Sequence, residues 1–192
     1  MTQDSPEIWL VRHGETAWSL SGQHTSRTDL GLTPSGEAKA AALGRLLHHP
    51  NFQFVASSPM LRALETCRMS GLAPQEVWEE LREWDYGDYE GLTTPQIRES
   101  NPDWSIWAGE VPNGESRDDV QARADMVLRR LSELPGPQAV FSHGHFLRVL
   151  ASRWIGLEAS EGRLFALDTG SISILGYERT TRVMRSWNRL VP

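Results

Sequence analysis

Two histidines, two arginines and a glutamate stand where short apolar runs of this chain end. Ile8-Trp9-Leu10-Val11 stops at Arg12-His13-Gly14, and Ala139-Val140-Phe141-Ser142 stops at His143-Gly144-His145. Arg62 falls about one helical turn past a third run, Phe52 to Ala56, and a fourth run, Glu76 to Leu81, leads into Glu83. A neutral imidazole can be a nucleophile, guanidinium groups can hold a phosphate-like anion, and a carboxylic acid can give and take back a proton. Together they suit phosphoryl transfer, in which fixed cations meet the charge on the transferred group. Each residue alone has a plainer explanation. His13 could be a strand-end histidine bonded to a loop, Arg62 a solvated helix residue and Glu83 an acid in a charged turn.

These residues meet only if the runs are strands of one sheet. The first run, bounded by Pro6 and Gly14, reads as a central strand buried on both faces. Open α/β folds bind ligands at the carboxyl edge of such strands, which is where Arg12 and His13 would lie. Ala17 to Leu32 reads as a long polar loop. Thr33 then caps a helix that starts at Pro34 and ends near His49, giving a right-handed crossover to the next strand. Ser58 and Pro59 open a second helix carrying Arg62 and Cys67. Residues 84–117, interrupted by Pro95, Pro102, Gly109, Pro112 and Gly114, read as a lid or wall over the site. Apolar spacing predicts helices from Glu115 to Leu134 and from Phe146 to Gly156. Arg163 to Leu167, Ile172 to Leu175 and Arg182 to Trp187 read as edge strands including a hairpin. The expected fold is an α/β three-layer sandwich with a mostly parallel central sheet flanked by helices, forming a single domain over residues 1–192.

Composition narrows the partners. A 192-residue chain with 39% hydrophobic and 23% charged residues fits one soluble globular domain. A net charge of −6 gives no support to nucleic-acid or membrane-surface binding, so a phosphate site must be a local basic pocket. The single cysteine, Cys67, excludes an intrachain disulfide and reads as a small core residue. No signal-like apolar region or long apolar span appears, which predicts a cytoplasmic protein. The first strand is not followed by Gly-x-Gly-x-x-Gly, and the only lysine, Lys39, lies in the middle of a helix, so dinucleotide-binding and Walker-type readings are not supported.

The motifs occur in a telling order. Leu-Val-Arg-His-Gly-Glu-Thr, Ser-Pro-x-x-Arg-Ala, Glu-x-x-Tyr-Gly-x-x-Glu-Gly and Ser-His-Gly, spread between Ile8 and Leu150, resemble the histidine phosphatase superfamily in its phosphoglycerate-mutase-like branch. Trp18 to Thr25, Thr28-Asp29, Tyr86 to Gly91 and Trp104 to Trp107 are similar to small microbial acid phosphatases and to the fungal sedoheptulose-bisphosphatase type. The resemblance implies that His13 becomes phosphorylated while Arg12, Arg62 and His143 clamp the phosphoryl oxygens. It implies that Glu83 protonates the leaving oxygen and then activates water, with burial beside Trp84 helping it to hold a proton. It requires no metal and no cofactor. It further implies that Ser19, Gln23, Thr25, Ser26, Tyr86, Gly144 and His145 reach the leaving group, although Gln23 and Ser26 read equally well as loop residues bonded to nearby backbone.

The expected activity is therefore metal-independent hydrolysis of a small phosphorylated metabolite. The alternatives are a phosphoglycerate mutase and a catalytically silent phosphate-binding domain. Mutases of the family carry asparagine where this chain has Ser19. They also need extra cations for a second phosphate, whereas the lid region here has one basic residue, Arg98, against Asp85, Asp88, Glu90 and Glu99. Retention of Glu83 speaks against a silent domain, because binding alone needs no acid. Arg27 could hold a second phosphate of a sugar bisphosphate but reads better as a solvated loop arginine, and Trp104 and Trp107 could form an aromatic wall for a larger substrate but read better as packing a lid onto the body. The C-terminal strands could pair in a homodimer.

Overall fold

In the computed structural model, which describes residues 7–191, six strands form one sheet. They are β1 (Ile8–Arg12), β2 (Phe54–Ser57), β3 (Glu76–Val77), β4 (Gln138–Ser142), β5 (Ile172–Glu178) and β6 (Thr181–Arg189), in the order β3-β2-β4-β1-β5-β6. Strands β3, β2, β4 and β1 run parallel, whereas β5 is antiparallel to β1, and β6 to β5. Register matters most at the carboxyl edge. Arg12 lies beside Ser142 and Ser57 beside Phe141, so the residues that follow β1, β2 and β4 emerge at one level.

Six helices accompany the strands: α1 (Ala17–Ser21), α2 (Pro34–Leu47), α3 (Leu61–Met69), α4 (Thr94–Ser100), α5 (Arg117–Ser132) and α6 (Gly144–Trp154). Residues of α2 and α3, including Leu43, Leu47 and Cys67, pack with Val11, Val55 and Phe141 on one face of the sheet. On the other face Val120, Val127 and Leu131 of α5 join Phe146 and Leu150 of α6 against Leu10 and Val140. Alternation along β1 and β4 thus feeds two cores, each buried aliphatic side chain stabilising the fold by ~1.5–3 kcal/mol relative to exposure. Helix α2 starts as its sequence dictates, with Thr33 Oγ1 accepting the Gly36 N–H and proline in the first turn.

Several segments depart from the pattern expected of the sequence. The polar stretch after β1 contains α1, which begins in a reciprocal box between Thr16 and Ser19 and closes at Gly22, whose φ is 78°. Strand β3 has two exposed residues instead of six, because the chain turns into a 3-10 helix at Glu79–Leu81 that buries Leu81. Residues 163–167 form no strand; Ala159–Leu164 is a 3-10 helix. The hairpin β5–β6 forms and is longer than expected. Pro6, read as the strand's boundary, lies outside the described residues.

Residues 84–117 form a wall rather than a detached lid. Trp84, Ile97, Trp104 and Ile106 belong to the core under α5 and α6. The Trp84 Nε1–H donates to the Glu115 carbonyl and the Trp104 Nε1–H to the Glu110 carbonyl, each at 2.9 Å. Both tryptophans thereby bury their rings with the indole donor satisfied.

Candidate active site

His13 follows the last residue of β1 and is held at both backbone ends. Its N–H donates to the Ser142 carbonyl, and its own carbonyl accepts the Gly170 N–H. The Nδ1 atom lies 2.7 Å from the Gly14 carbonyl oxygen. A carbonyl only accepts, so Nδ1 carries the proton and Nε2 keeps its lone pair. Burial holds the His13 pKa well below 6.5, and the Arg62 and Arg12 charges add to the effect. His13 is a neutral imidazole with a fixed tautomer. The turn behind it is tight: a Cβ on Gly14 would stand 2.7 Å from the Gly36 carbonyl, and one on Gly36 would stand 2.2 Å from the Glu15 carbonyl. The catalytic turn and the first turn of α2 thus cross glycine to glycine.

Arg62 and His143 stand behind His13, whose ring centroid is 5.2 Å from that of His143. Arg62 is fully buried. Its Nε–H donates to His143 Nδ1 at 3.2 Å, and its terminal nitrogens donate to the carbonyls of Thr25, Ser26 and Thr28. Since arginine only donates, His143 carries its proton on Nε2 and donates it to Ser58 Oγ at 2.7 Å. Both ring nitrogens of His143 are therefore engaged, and burial with the charge of Arg62 holds its pKa well below 6.5. Arg12 is the more open cation. It donates to the Leu167 carbonyl, but its buried Nε has no protein acceptor among the described residues. A Cβ on Gly144 would lie 3.1 Å from the Arg12 Cζ, so glycine there leaves room for the guanidinium.

Glu83 comes from the turn after the 3-10 helix and meets the start of α6. Oε1 accepts the N–H groups of Trp84 at 2.9 Å and Phe146 at 2.8 Å, and Oε2 accepts that of His145 at 3.1 Å. The N-cap position, His143, makes no side-chain cap bond, so Glu83 satisfies two of the free donors of α6 from across the site. With two N–H groups on Oε1 and one on Oε2, the second oxygen has more room for a proton.

Arg12, His13 and Glu83 line a cavity of about 420 Å³ together with Tyr86, Gly144 and His145 among others, whereas Arg62 and His143 stand behind it and are not part of its lining. Ser19, Gln23 and Thr25 also line it, but with their polar atoms engaged. Ser19 Oγ bonds the backbone of Thr16; the Gln23 amide spans Gly91 and Ser21; Thr25 Oγ1 donates to the Gln23 carbonyl. Ser26 lies behind the wall. Its N–H and hydroxyl are spent on Glu90, so the structure gives it an anchoring place rather than a cavity-facing one. The Tyr86 hydroxyl meets His145 Nδ1 at 2.6 Å, and burial pushes the Tyr86 pKa well above 10 while lowering that of His145 well below 6.5. Arg27, expected to be solvated, pairs with Asp85 and stays exposed.

Known proteins are similar to this chain in sequence and fold. A profile for the histidine phosphatase superfamily, branch 1, matches residues 8–190. The chain belongs to that superfamily. An acid phosphatase from Mycobacterium tuberculosis is 47% identical over 179 residues, covering 91% of this chain and 88% of that protein. A sedoheptulose 1,7-bisphosphatase from Saccharomyces cerevisiae is 34% identical over 186 residues, with 80% and 69% covered. The solved structure of an open reading frame product from M. tuberculosis superposes with a TM-score of 0.91 at 42% identity, covering 97% of this chain and 99% of that one. This histidine phosphatase is accordingly a phosphatase acting on phosphate monoesters.

The structure of this histidine phosphatase also brings to the cavity residues that the motifs did not single out as binding groups. His24, Thr94, Arg98 and Arg148 line it, and Trp104 and Trp107 form its aromatic side. Arg148 lies four residues after Gly144 on α6, a spacing that puts both on one helix face, so helical periodicity carried the signal. Its guanidinium stacks on Trp107 at 4.4 Å, and burial lowers its pKa to about 10. His24 carried no comparable signal, because its place depends on Leu92 and Gly91 pairing with it from the wall. Among the described residues no three His, Cys, Asp or Glu side chains converge to hold a metal ion, and no helix is long and apolar enough to cross a membrane.

Proposed function

We propose that this phosphatase hydrolyses small phosphomonoesters through a phosphohistidine on His13. The observation that carries the reading is the Nδ1 bond to the Gly14 carbonyl, which leaves neutral Nε2 as the attacking atom. Nε2 forms a bond to phosphorus as the ester oxygen departs, and Glu83 Oε2 gives that oxygen its proton. Water then attacks the phosphohistidine, Glu83 recovers a proton from the water, and His13 is released neutral with inorganic phosphate. Arg12 offers the open donors to the phosphoryl oxygens, while Arg62 and His143 back it with a buried, oriented cation.

Substrate class follows from the far side of the cavity. Arg98 and Arg148 line it together with the two tryptophans, which suits a leaving group that bears a second anion, as in a sugar bisphosphate. Similarity to a sedoheptulose 1,7-bisphosphatase supports the same reading. The partner is thus a small phosphorylated metabolite, and a cytoplasmic setting suits such a substrate and the one buried free thiol, Cys67. Similarity to an acid phosphatase at 47% identity supports hydrolysis over a mutase reaction.

The test is phosphate release in excess EDTA from an aryl phosphate, sugar monophosphates, sugar bisphosphates and phosphoglycerates, with His13→Ala as blank. Release that persists in EDTA and requires His13 is expected, with bisphosphates turned over best. Release that survives in the variant would remove His13 as the nucleophile, and interconversion of phosphoglycerates without release would favour the mutase.

A further inference from the structure

Arg123, on α5, has no place in the cavity, yet it makes three hydrogen bonds to the turn that carries Glu83 and two to the Glu115 carboxylate. Nη1 donates to the carbonyls of Glu80 at 2.9 Å and Arg82 at 2.7 Å, and Nη2 to that of Glu83 at 3.3 Å. Nε and Nη2 form a forked pair with the Glu115 carboxylate at 2.8 and 2.6 Å. Glu115 in turn accepts the Asp85 N–H on Oε2 at 2.9 Å, and its backbone pairs with Asp85 and Trp84. The guanidinium also lies 4.4 Å over the ring of Phe146, whose N–H holds Glu83 Oε1. The ion pair therefore grips Glu83 from its main-chain side on both flanks, and from the helix that receives its carboxylate. Its two side chains are only 15% and 24% exposed, so water competes little for these donors.

We propose that the Arg123–Glu115 pair is a positioning clip that sets the proton-transfer geometry of Glu83. The inference rests on Glu83 being the acid and base of the reaction. An exposed ion pair on a helix would contribute little. A guanidinium that donates to three carbonyls of one turn, while its fork is held by the Glu115 carboxylate, instead fixes a backbone, and lysine, with three donors at one nitrogen, cannot reproduce it. A displacement of about 1 Å in a reacting group costs roughly 10²-fold in rate.

The experiment compares Arg123→Gln, Arg123→Lys and Glu115→Gln with Glu83→Gln on an alkyl phosphate and on an aryl phosphate whose leaving group needs no acid. Arg123→Gln is expected to lose about 10²-fold in kcat/KM, which stops at formation of the phosphoenzyme, on the alkyl ester and under about threefold on the aryl ester. Lysine should restore part of the loss, and Arg123→Gln should add nothing to Glu83→Gln, since both act on one step. Equal losses on the two esters, or losses that add to those of Glu83→Gln, would reduce the clip to a structural contact and overturn the proposal. No leaving-group selectivity in Glu83→Gln itself would instead remove the acid, and the clip with it. Should Arg123→Gln fail to fold, Glu115→Gln keeps the shape of the pair without its charge; wild-type rates on both esters in that variant would likewise overturn the proposal.

Discussion

The floor of the cavity is made of strand ends held in register by a backbone ladder, whereas its wall, residues 84–117, combines local backbone bonds with side chains that reach main-chain groups. On the floor, the His13 and Arg12 N–H groups donate to the Ser142 and Ser171 carbonyls, and the Gly170 N–H donates to the His13 carbonyl. In the wall, Glu90 bonds the backbone of Ser26 and Thr28, Gln23 reaches Gly91, and Arg98 holds the Trp104 carbonyl. On the proposed mechanism the two regions would meet different parts of the substrate. The floor would receive the phosphoryl group that every substrate shares, and the wall the leaving group by which substrates differ. A scaffold that is rigid where the chemistry is common and side-chain-built where it varies can change specificity without disturbing its nucleophile.

The sharpest way to break this division is on the floor. His13→Ala should lower phosphate release by about 10⁴-fold or more for every ester, with circular dichroism and the urea midpoint close to wild type. Glu83→Gln, where floor and wall meet, should cost about 10²- to 10⁴-fold on alkyl phosphates but little on aryl phosphates, as read by kcat/KM, which stops at the phosphoenzyme. A wall substitution should be milder and selective. Arg148→Ala should raise KM about tenfold for sugar bisphosphates while leaving an aryl phosphate nearly unchanged; equal effects on both would place Arg148 with the floor.

The smallest effect concerns pH. Burial lowers the His24 pKa from 6.5 to about 4. Between those values the unfolded chain binds a proton that the folded one refuses, so stability present above pH 6.5 is lost as pH falls toward 4. His13, His143 and His145 are shifted in the same direction. Urea midpoints measured across that range should therefore decline toward acid, and His24→Gln should show a shallower decline. An unchanged slope would mean that His24 is protonated as readily in the folded wall as in the unfolded chain.

The same division explains what the sequence disclosed. Strand ends are legible because a few apolar residues followed by Arg-His-Gly or Ser-His-Gly specify both the element and the exposed chemistry. Thr33, Pro34 and the apolar spacing of α5 were equally direct. The segments around the wall were not legible, because a helix of only five residues such as α1 depends on the Thr16–Ser19 box, and Leu81 leaves its strand to fill a core made by distant residues. Ser26 loses its expected place for the same reason, because it is claimed by Glu90 from 64 positions away.

The short contact between His13 Nδ1 and the Gly14 carbonyl has an analytical consequence. With Nδ1 committed to the backbone, the proposed phosphoenzyme carries its phosphorus on the outer ring nitrogen alone. Material quenched during turnover and digested under alkaline conditions should yield the tele isomer of phosphohistidine, free of the pros isomer. A phosphorus NMR spectrum of that digest would then report the hydrogen bond of a single backbone carbonyl.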